Sequence, residues 1–147
     1  MNKEHLEGLA SDEWAAFLAN DLLPWVFSDG VDLGANALEI GPGPGRTTDI
    51  LATKHERLTA VEVDEQLATA LARRFAGSNV AVHHADGAEM PFGDATFSGA
   101  CCFIMLHHVP TPEHQDRLFA EVRRVLAPGA TFVGADGAPS DELASRH

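Results

Sequence analysis

Residues Ala37 to Asp49 read Ala-Leu-Glu-Ile-Gly-Pro-Gly-Pro-Gly-Arg-Thr-Thr-Asp: an apolar run stops at a glycine-rich turn and a helix-compatible stretch begins. The pattern is a strand, a tight loop and a helix start. Gly41, Gly43 and Gly45 admit unusual torsions and close approach, while Pro42 and Pro44 fix φ, so the loop is permissive and stiff at once. Such a loop suits a nucleotide-like ligand.

On either side of it, strands and helices alternate. Ser11 is placed to cap a helix carrying Trp14, Phe17, Leu18 and Leu22 at helical spacing, with Pro24 expected to end or kink it. Ala37–Ile40, Leu58–Val63, Val80–His84, Phe97–Leu106 and Ala130–Ala135 read as strands. Between them, Arg46 to about His55, a stretch through Leu67, Leu71 and Phe75, and a stripe of Leu118, Phe119, Val122, Val125 and Leu126 read as helices, the last stopped by Pro128-Gly129. This alternation predicts an α/β chain with a mostly parallel sheet, helices on both faces, and a ligand at the carboxyl ends of the strands.

Size and charge narrow the function. The 147 residues make one domain by length, with residues 1–30 as an N-terminal helical cap and 37–136 as the core. Ten basic against 22 acidic residues give a net charge of -12, which opposes attraction to a phosphate backbone, so no nucleic-acid partner is expected. The start lacks the apolar core of a signal peptide and no apolar run approaches the ~20 residues of a membrane span, so a cytoplasmic protein with no membrane partner is expected. Cys101 and Cys102 are adjacent on a strand and face opposite ways, as core thiols rather than a disulfide pair.

Four segments together resemble the class I S-adenosylmethionine-dependent methyltransferases, and within them the small-molecule branch that includes quinone-biosynthesis-like enzymes. They are Leu38-Glu-Ile-Gly-Pro-Gly-Pro-Gly45, Ala60-Val-Glu-Val-Asp-Glu-Gln-Leu67, Ala85-Asp-Gly-Ala-Glu-Met-Pro-Phe92 and Arg117-Leu-Phe-Ala-Glu-Val-Arg-Arg-Val-Leu-Ala-Pro-Gly129. The likeness spans about Ala37 to Asp136. It implies a Rossmann-like methyltransferase fold, S-adenosylmethionine as cofactor, and methyl transfer to a small-molecule acceptor.

Residue by residue, the resemblance puts Glu39, Gly41, Pro42, Gly43 and Gly45 of the first segment and Glu62 and Val63 of the second around the cofactor. Glu62, at the end of strand two, can accept from both ribose hydroxyls, whereas Asp64 is expected to cap the next helix. Asp86, with Gly87 and Ala88, is assigned to the adenine amino group, although Asp-Gly is also an ordinary turn. Ile104 stands at the exit of strand four, near the reactive methyl.

A nicotinamide oxidoreductase is the competing reading, since it too joins a glycine loop to a downstream acid. The spacing opposes it: G-x-G-x-G stands in place of G-x-G-x-x-G, with Arg46 where the third glycine belongs. A catalytically silent domain that binds a partner through its sheet edge is a further alternative.

Methyl transfer is an in-line displacement that needs alignment and sometimes a base. His107 and His108 are the candidate bases, or else partly buried imidazoles with structural hydrogen bonds. Neither that doublet nor His83-His84 makes a ready chelate, so no metal is expected. Trp14, Phe17 and Trp25 are placed to cover a substrate pocket, but a core-facing amphipathic helix explains them as well and is the preferred reading for Trp14 and Phe17. Arg46 either meets the cofactor carboxylate or lies on the surface, and Arg117, Arg123 and Arg124 read as a solvated face.

The family's sheet ordinarily continues past strand five with a helix and an antiparallel strand pair. Pro139–His147 is polar and carries no strand pattern, so that pair is expected to be missing. Truncation, a partner or second copy covering the strand-five edge, and a minimal fold are the three explanations.

Overall fold

The computed structural model describes residues 3–137. The chain opens with α1 (Lys3–Ala10), α2 (Asp12–Phe17) and α3 (Leu23–Val26), the last two joined by a π-helical turn at Leu18–Leu22. Ser11 caps α2 by accepting from the Trp14 N–H at 3.1 Å. Pro24 interrupts the helix rather than ending it: it occupies the first turn of α3, where its missing N–H leaves no gap, directly after the wide π turn.

The core then runs β1 (Asn36–Ile40), α4 (Arg46–Leu51), β2 (Arg57–Glu62), α5 (Glu65–Arg74), β3 (Val80–His84), β4 (Phe97–Phe103), a 3₁₀ turn at Leu106–His108, α6 (Pro112–Val125) and β5 (Leu126–Ala135). The strands lie in the order β3-β2-β1-β4-β5, and every pairing is parallel. From β1 the chain winds outward through β2 to β3, then returns to the other side of β1 for β4 and β5. That reversal opens a crevice at the carboxyl ends of β1 and β4, where ligands of open α/β sheets bind.

Two apolar layers sandwich the sheet. Leu38, Ile40, Val61 and Cys102 pack with Leu118, Val122 and Val125 of α6 on one face. Ala37, Leu58, Val80, Cys101 and Phe103 pack with Leu23 of α3, Leu51 of α4 and Leu33 on the other. Cys101 and Cys102 thus face opposite layers as buried free thiols. Burial pushes both pKa values up, that of Cys102 to about 12.

Two strand boundaries differ from the sequence reading by more than one residue. β4 stops at Phe103 instead of Leu106, because Ile104 takes a φ of 52° and turns the chain out of the sheet. β5 begins at Leu126, ahead of Pro128-Gly129. Phe97 pairs with Leu126 and Gly99 with Thr131, so Pro128, which has no N–H to give, and Gly129, at φ 80°, sit in a bulge inside the strand.

Arg124 is not merely solvated: it binds the Phe92 carbonyl at 2.7 Å, the Met90 carbonyl at 3.1 Å, Asp94 at 2.9 Å and Glu121. It therefore pins the loop after β3 to α6. Pro139–His147, the basis for expecting missing strands, lies outside the described residues. Among the described residues no helix is long and apolar enough to cross a membrane.

Gly99 shows how closely β4 approaches the loop before β1. A Cβ there would stand 2.5 Å from both the Cα and the carbonyl oxygen of Leu33, which are backbone atoms with little freedom to yield. Gly99→Ala is expected to cost about 2 kcal/mol, read as a lowered urea midpoint at unchanged slope. An unchanged midpoint would show that the loop gives way.

Candidate cofactor site

The glycine loop is the floor of the site. Gly41, Gly43 and Gly45 take φ values of 69°, 55° and 86°, a region that L side chains rarely enter. The Gly45 N–H donates to the Pro42 carbonyl at 3.0 Å, and Gly45 is the N-terminal flank of α4. Nothing lies within 4 Å of a Cβ built on Gly43, so its backbone faces open space.

Above this loop is a cavity of about 370 Å³ whose walls include Glu39, Gly41, Pro42, Gly43, Glu62, Val63, Asp64, Ile104 and His108. A second cavity of about 210 Å³ adjoins it, sharing Gly41, Val63, Met105 and His108, and includes Asp86 and Gly87. Gly45, Ala88 and His107 line neither cavity; the Gly45 and Ala88 N–H groups donate to Pro42 and Asp86, which do.

Glu62 is the best-anchored acid in the site. One carboxylate oxygen accepts from the Gly43 N–H and the other from the Asp64 N–H, both at 3.0 Å. The side chain is only 5% exposed, yet it lines the cavity. Asp64 instead serves the next helix, its Oδ1 accepting from Gln66 and Leu67 to cap α5. The strand ends between the two acids, which gives them separate duties.

Glu39 faces the α4 side of the sheet, buried, with its Oε2 accepting from the Thr48 hydroxyl at 2.7 Å. Burial pushes its pKa up to about 7, against the lowering effect of Thr48 and with smaller upward contributions from Glu62 and Asp49. Asp86 moves the other way. Burial alone would raise it, but the Ala88 N–H, His114 and Arg117 bring it below the ordinary carboxylate range. Its Oδ1 accepts from Ala88 at 2.8 Å, and His114 Nε2 lies 2.9 Å from Oδ2.

Ile104 is the strained residue. A β-branched side chain at positive φ costs on the order of 1–3 kcal/mol, and such strain gathers at functional sites. Its N–H donates to the Ala135 carbonyl at 2.8 Å, tying the turn back to β5. The turn throws the next residues over the cavity. His107 and His108 therefore lie on a 3₁₀ turn and not on a strand end.

His107 is held by Asp136, which accepts from its backbone N–H at 3.1 Å and meets its Nδ1 at 2.6 Å. His108 lines both cavities, and its Nε2 lies 3.3 Å from Nε2 of His5 on α1. The N-terminal helices contribute as well: Leu9 and Trp14 line the larger cavity, while Phe17 and Trp25 are exposed. Arg46 also lines that cavity and joins α4 to the helical segment, reaching the Ala10 carbonyl at 2.6 Å and Asp12 at 3.1 Å.

Asp136, His114 and His5 are not foreseen from the sequence, and of the two residues expected to pack inward Trp14 lines the cavity and Phe17 is exposed. Of these only His114 carried a signal, three residues after Thr111, whose side chain caps α6. The other contacts join distant parts of the chain and leave no local pattern.

Comparison with known proteins agrees with this architecture. The chain is 30% identical over 108 residues to O-methyltransferase cnsE of Penicillium expansum, a match covering 70% of this chain and 38% of that protein. It is also 30% identical over 101 residues to the demethylmenaquinone methyltransferase of Clavibacter sepedonicus, covering 68% of this chain and 40% of that protein. The chain thus spans about two fifths of the length of these curated relatives. In fold it matches a SAM dependent methyltransferase from Aquifex aeolicus with a TM-score of 0.75 at 18% identity, covering 97% of this chain and 80% of that one. The family model described as "Methyltransferase domain" matches residues 38–134, from within β1 to near the end of β5. The chain therefore belongs to the methyltransferase-domain family, whose cofactor is S-adenosylmethionine.

Proposed function

We propose that the chain transfers a methyl group from S-adenosylmethionine to a small organic acceptor. The observation that carries this reading is the pair of joined cavities, one edged by acids and the other largely apolar with a single carboxylate. The first suits ribose hydroxyls and a cationic amino-acid end, because carboxylates accept hydrogen bonds and favour positive charge. The second suits a flat aromatic base, with Asp86 positioned to accept from an amino group.

Within this reading Glu62 holds the ribose, and its two backbone hydrogen bonds fix both oxygens before any ligand arrives. The bare backbone at Gly43 lets the amino-acid portion lie close. When bound, S-adenosylmethionine supplies an electrophilic methyl on its sulfonium. The chain's own part is to align an acceptor in line with that methyl and to take up a proton where the acceptor carries one. His108, at the junction of the cavities, is the imidazole placed for that proton, and Asp136 keeps the neighbouring His107 in a fixed orientation.

A small acceptor fits the net charge of -12 better than a polyanion does. The cytoplasm is the compartment in which this reading places the protein. A second copy or a further segment pairing with the edge of β5 is the arrangement it favours for protecting that strand.

Isothermal titration with S-adenosylmethionine and its demethylated product, followed by a screen of small phenols, quinols and amines for release of that product, tests the reading. Saturable one-to-one binding of both ligands and turnover with at least one acceptor are expected. Folded protein that binds neither ligand would overturn the reading, and binding without turnover would favour the silent alternative.

A further inference from the structure

We propose that His5, His107 and His108 form a binding site for a divalent transition-metal ion of the zinc class. The three side chains offer ligand atoms that all lie within 4.8 Å of one another. Two come from the 3₁₀ turn after β4 and the third from α1, more than a hundred residues earlier in the chain. Adjacent histidines alone are a poor chelate, and only the approach of α1 turns this doublet into a three-sided cluster.

The spacing that lets two of these imidazoles share a hydrogen bond is also the spacing of two ligands on one ion. Nε2 of His5 and Nε2 of His108 are 3.3 Å apart. Two imidazoles on one tetrahedral zinc, with Zn–N at about 2.0–2.1 Å, stand about 3.3–3.4 Å from each other. The His5 ring meets the other two edge-on, at 73° to His108 and 88° to His107, while His107 and His108 are tilted at 45° with their centroids 4.0 Å apart. With all three ligand atoms within 4.8 Å of one another, closing the third onto the ion needs at most about 1.5 Å of side-chain movement.

Asp136 completes the arrangement. Its carboxylate meets Nδ1 of His107 at 2.6 Å, so a metal on that ring would be taken by Nε2. A carboxylate behind a metal-binding imidazole orients the ring and raises its basicity, and its removal typically weakens binding about 10–100-fold. Three protein nitrogens leave a fourth position for water or for an oxygen or nitrogen donor. Since His108 lines both cavities, that position lies beside them. A bound ion would engage His108 as a ligand in place of its role as a base, and would supply a Lewis acid toward an oxygen donor at the open position. An ion there also ties α1 to the turn over the cofactor cavity.

The site stands on its imidazoles and not on the methyl-transfer reading, and its test is separate. Untagged protein is titrated with Co²⁺ while the visible d–d spectrum is followed, and Zn²⁺ is then added to displace it. Expected are one equivalent bound with the intense band of four-coordinate Co²⁺, at least tenfold weaker binding in His5→Ala and in His108→Ala, and about tenfold weaker binding in Asp136→Asn. His84→Ala, on β3, should bind as the parent does. Circular dichroism identifies any variant that fails to fold, and His5→Ala, on the N-terminal helix and outside the sheet, decides the matter if the others do not fold. Absence of saturable one-to-one binding by the folded parent, or binding unchanged in His5→Ala, would overturn the proposal whatever the cofactor titration shows.

Discussion

Glu62→Ala is expected to weaken S-adenosylmethionine binding about a hundredfold, while Asp64→Ala weakens it by less than about fivefold. Glu62 is buried at 5% exposure and already positioned by two backbone N–H groups, so little ordering is left for ligand binding to impose. Hydrogen bonds to a charged group are worth about 1.5–3 kcal/mol, and two ribose hydroxyls on one carboxylate reach the upper part of that range. The alanine also strands the Gly43 and Asp64 N–H groups beside the cavity. Asp64 caps α5, so its loss is expected to cost about 1 kcal/mol of stability with little effect on ligand binding. Isothermal titration of both variants separates the roles. Equal and small losses would show that Glu62 does not hold the ribose.

Glu39 gives the second large effect, in stability. With its pKa raised from 4.5 to about 7, the folded chain keeps a proton that the unfolded chain has already lost. Stability rises with pH only where the unfolded state binds more protons, so here it falls. The contribution is whole below about pH 4.5, declines from there to about pH 7, and is flat above, a loss on the order of 3 kcal/mol. Glu39→Gln is expected to remove the decline, making the variant more stable than the parent at pH 8 by up to about 3 kcal/mol and nearly equal to it at pH 5. Urea unfolding at the two pH values measures the difference. Parallel stability curves would mean that Glu39 titrates alike in the folded and unfolded states.

Much of this molecule is legible in its sequence because its sheet is buried on both faces. Runs such as Leu58 to Glu62 and Phe97 to Phe103 carry the apolar density that a covered parallel strand requires, and the glycine loop marks where β1 ends. The boundaries that differ turn on backbone choices without a side-chain signature. Ile104 at φ 52° ends β4 inside an apolar run, and the Pro128-Gly129 bulge sits within a strand where the same dipeptide ordinarily separates elements. In the site, Glu62 and Asp64 can be told apart because a strand end and a helix cap have different periodicities. The pairings of His107 with Asp136 and His114 with Asp86, and the approach of His5, arise only when β4, β5, α6 and α1 come together.

Two consecutive residues, Cys101 and Cys102, carry one thiol into each half of the core. A thiol reacts as its thiolate and only where a reagent can reach it, and both are kept protonated and covered while the sheet is sandwiched. The layer formed with α6 and the layer formed with α3 and α4 are therefore chemically addressable one at a time. Single-cysteine versions of this chain would carry clocks for the opening of each half, placed at adjacent positions of the same strand.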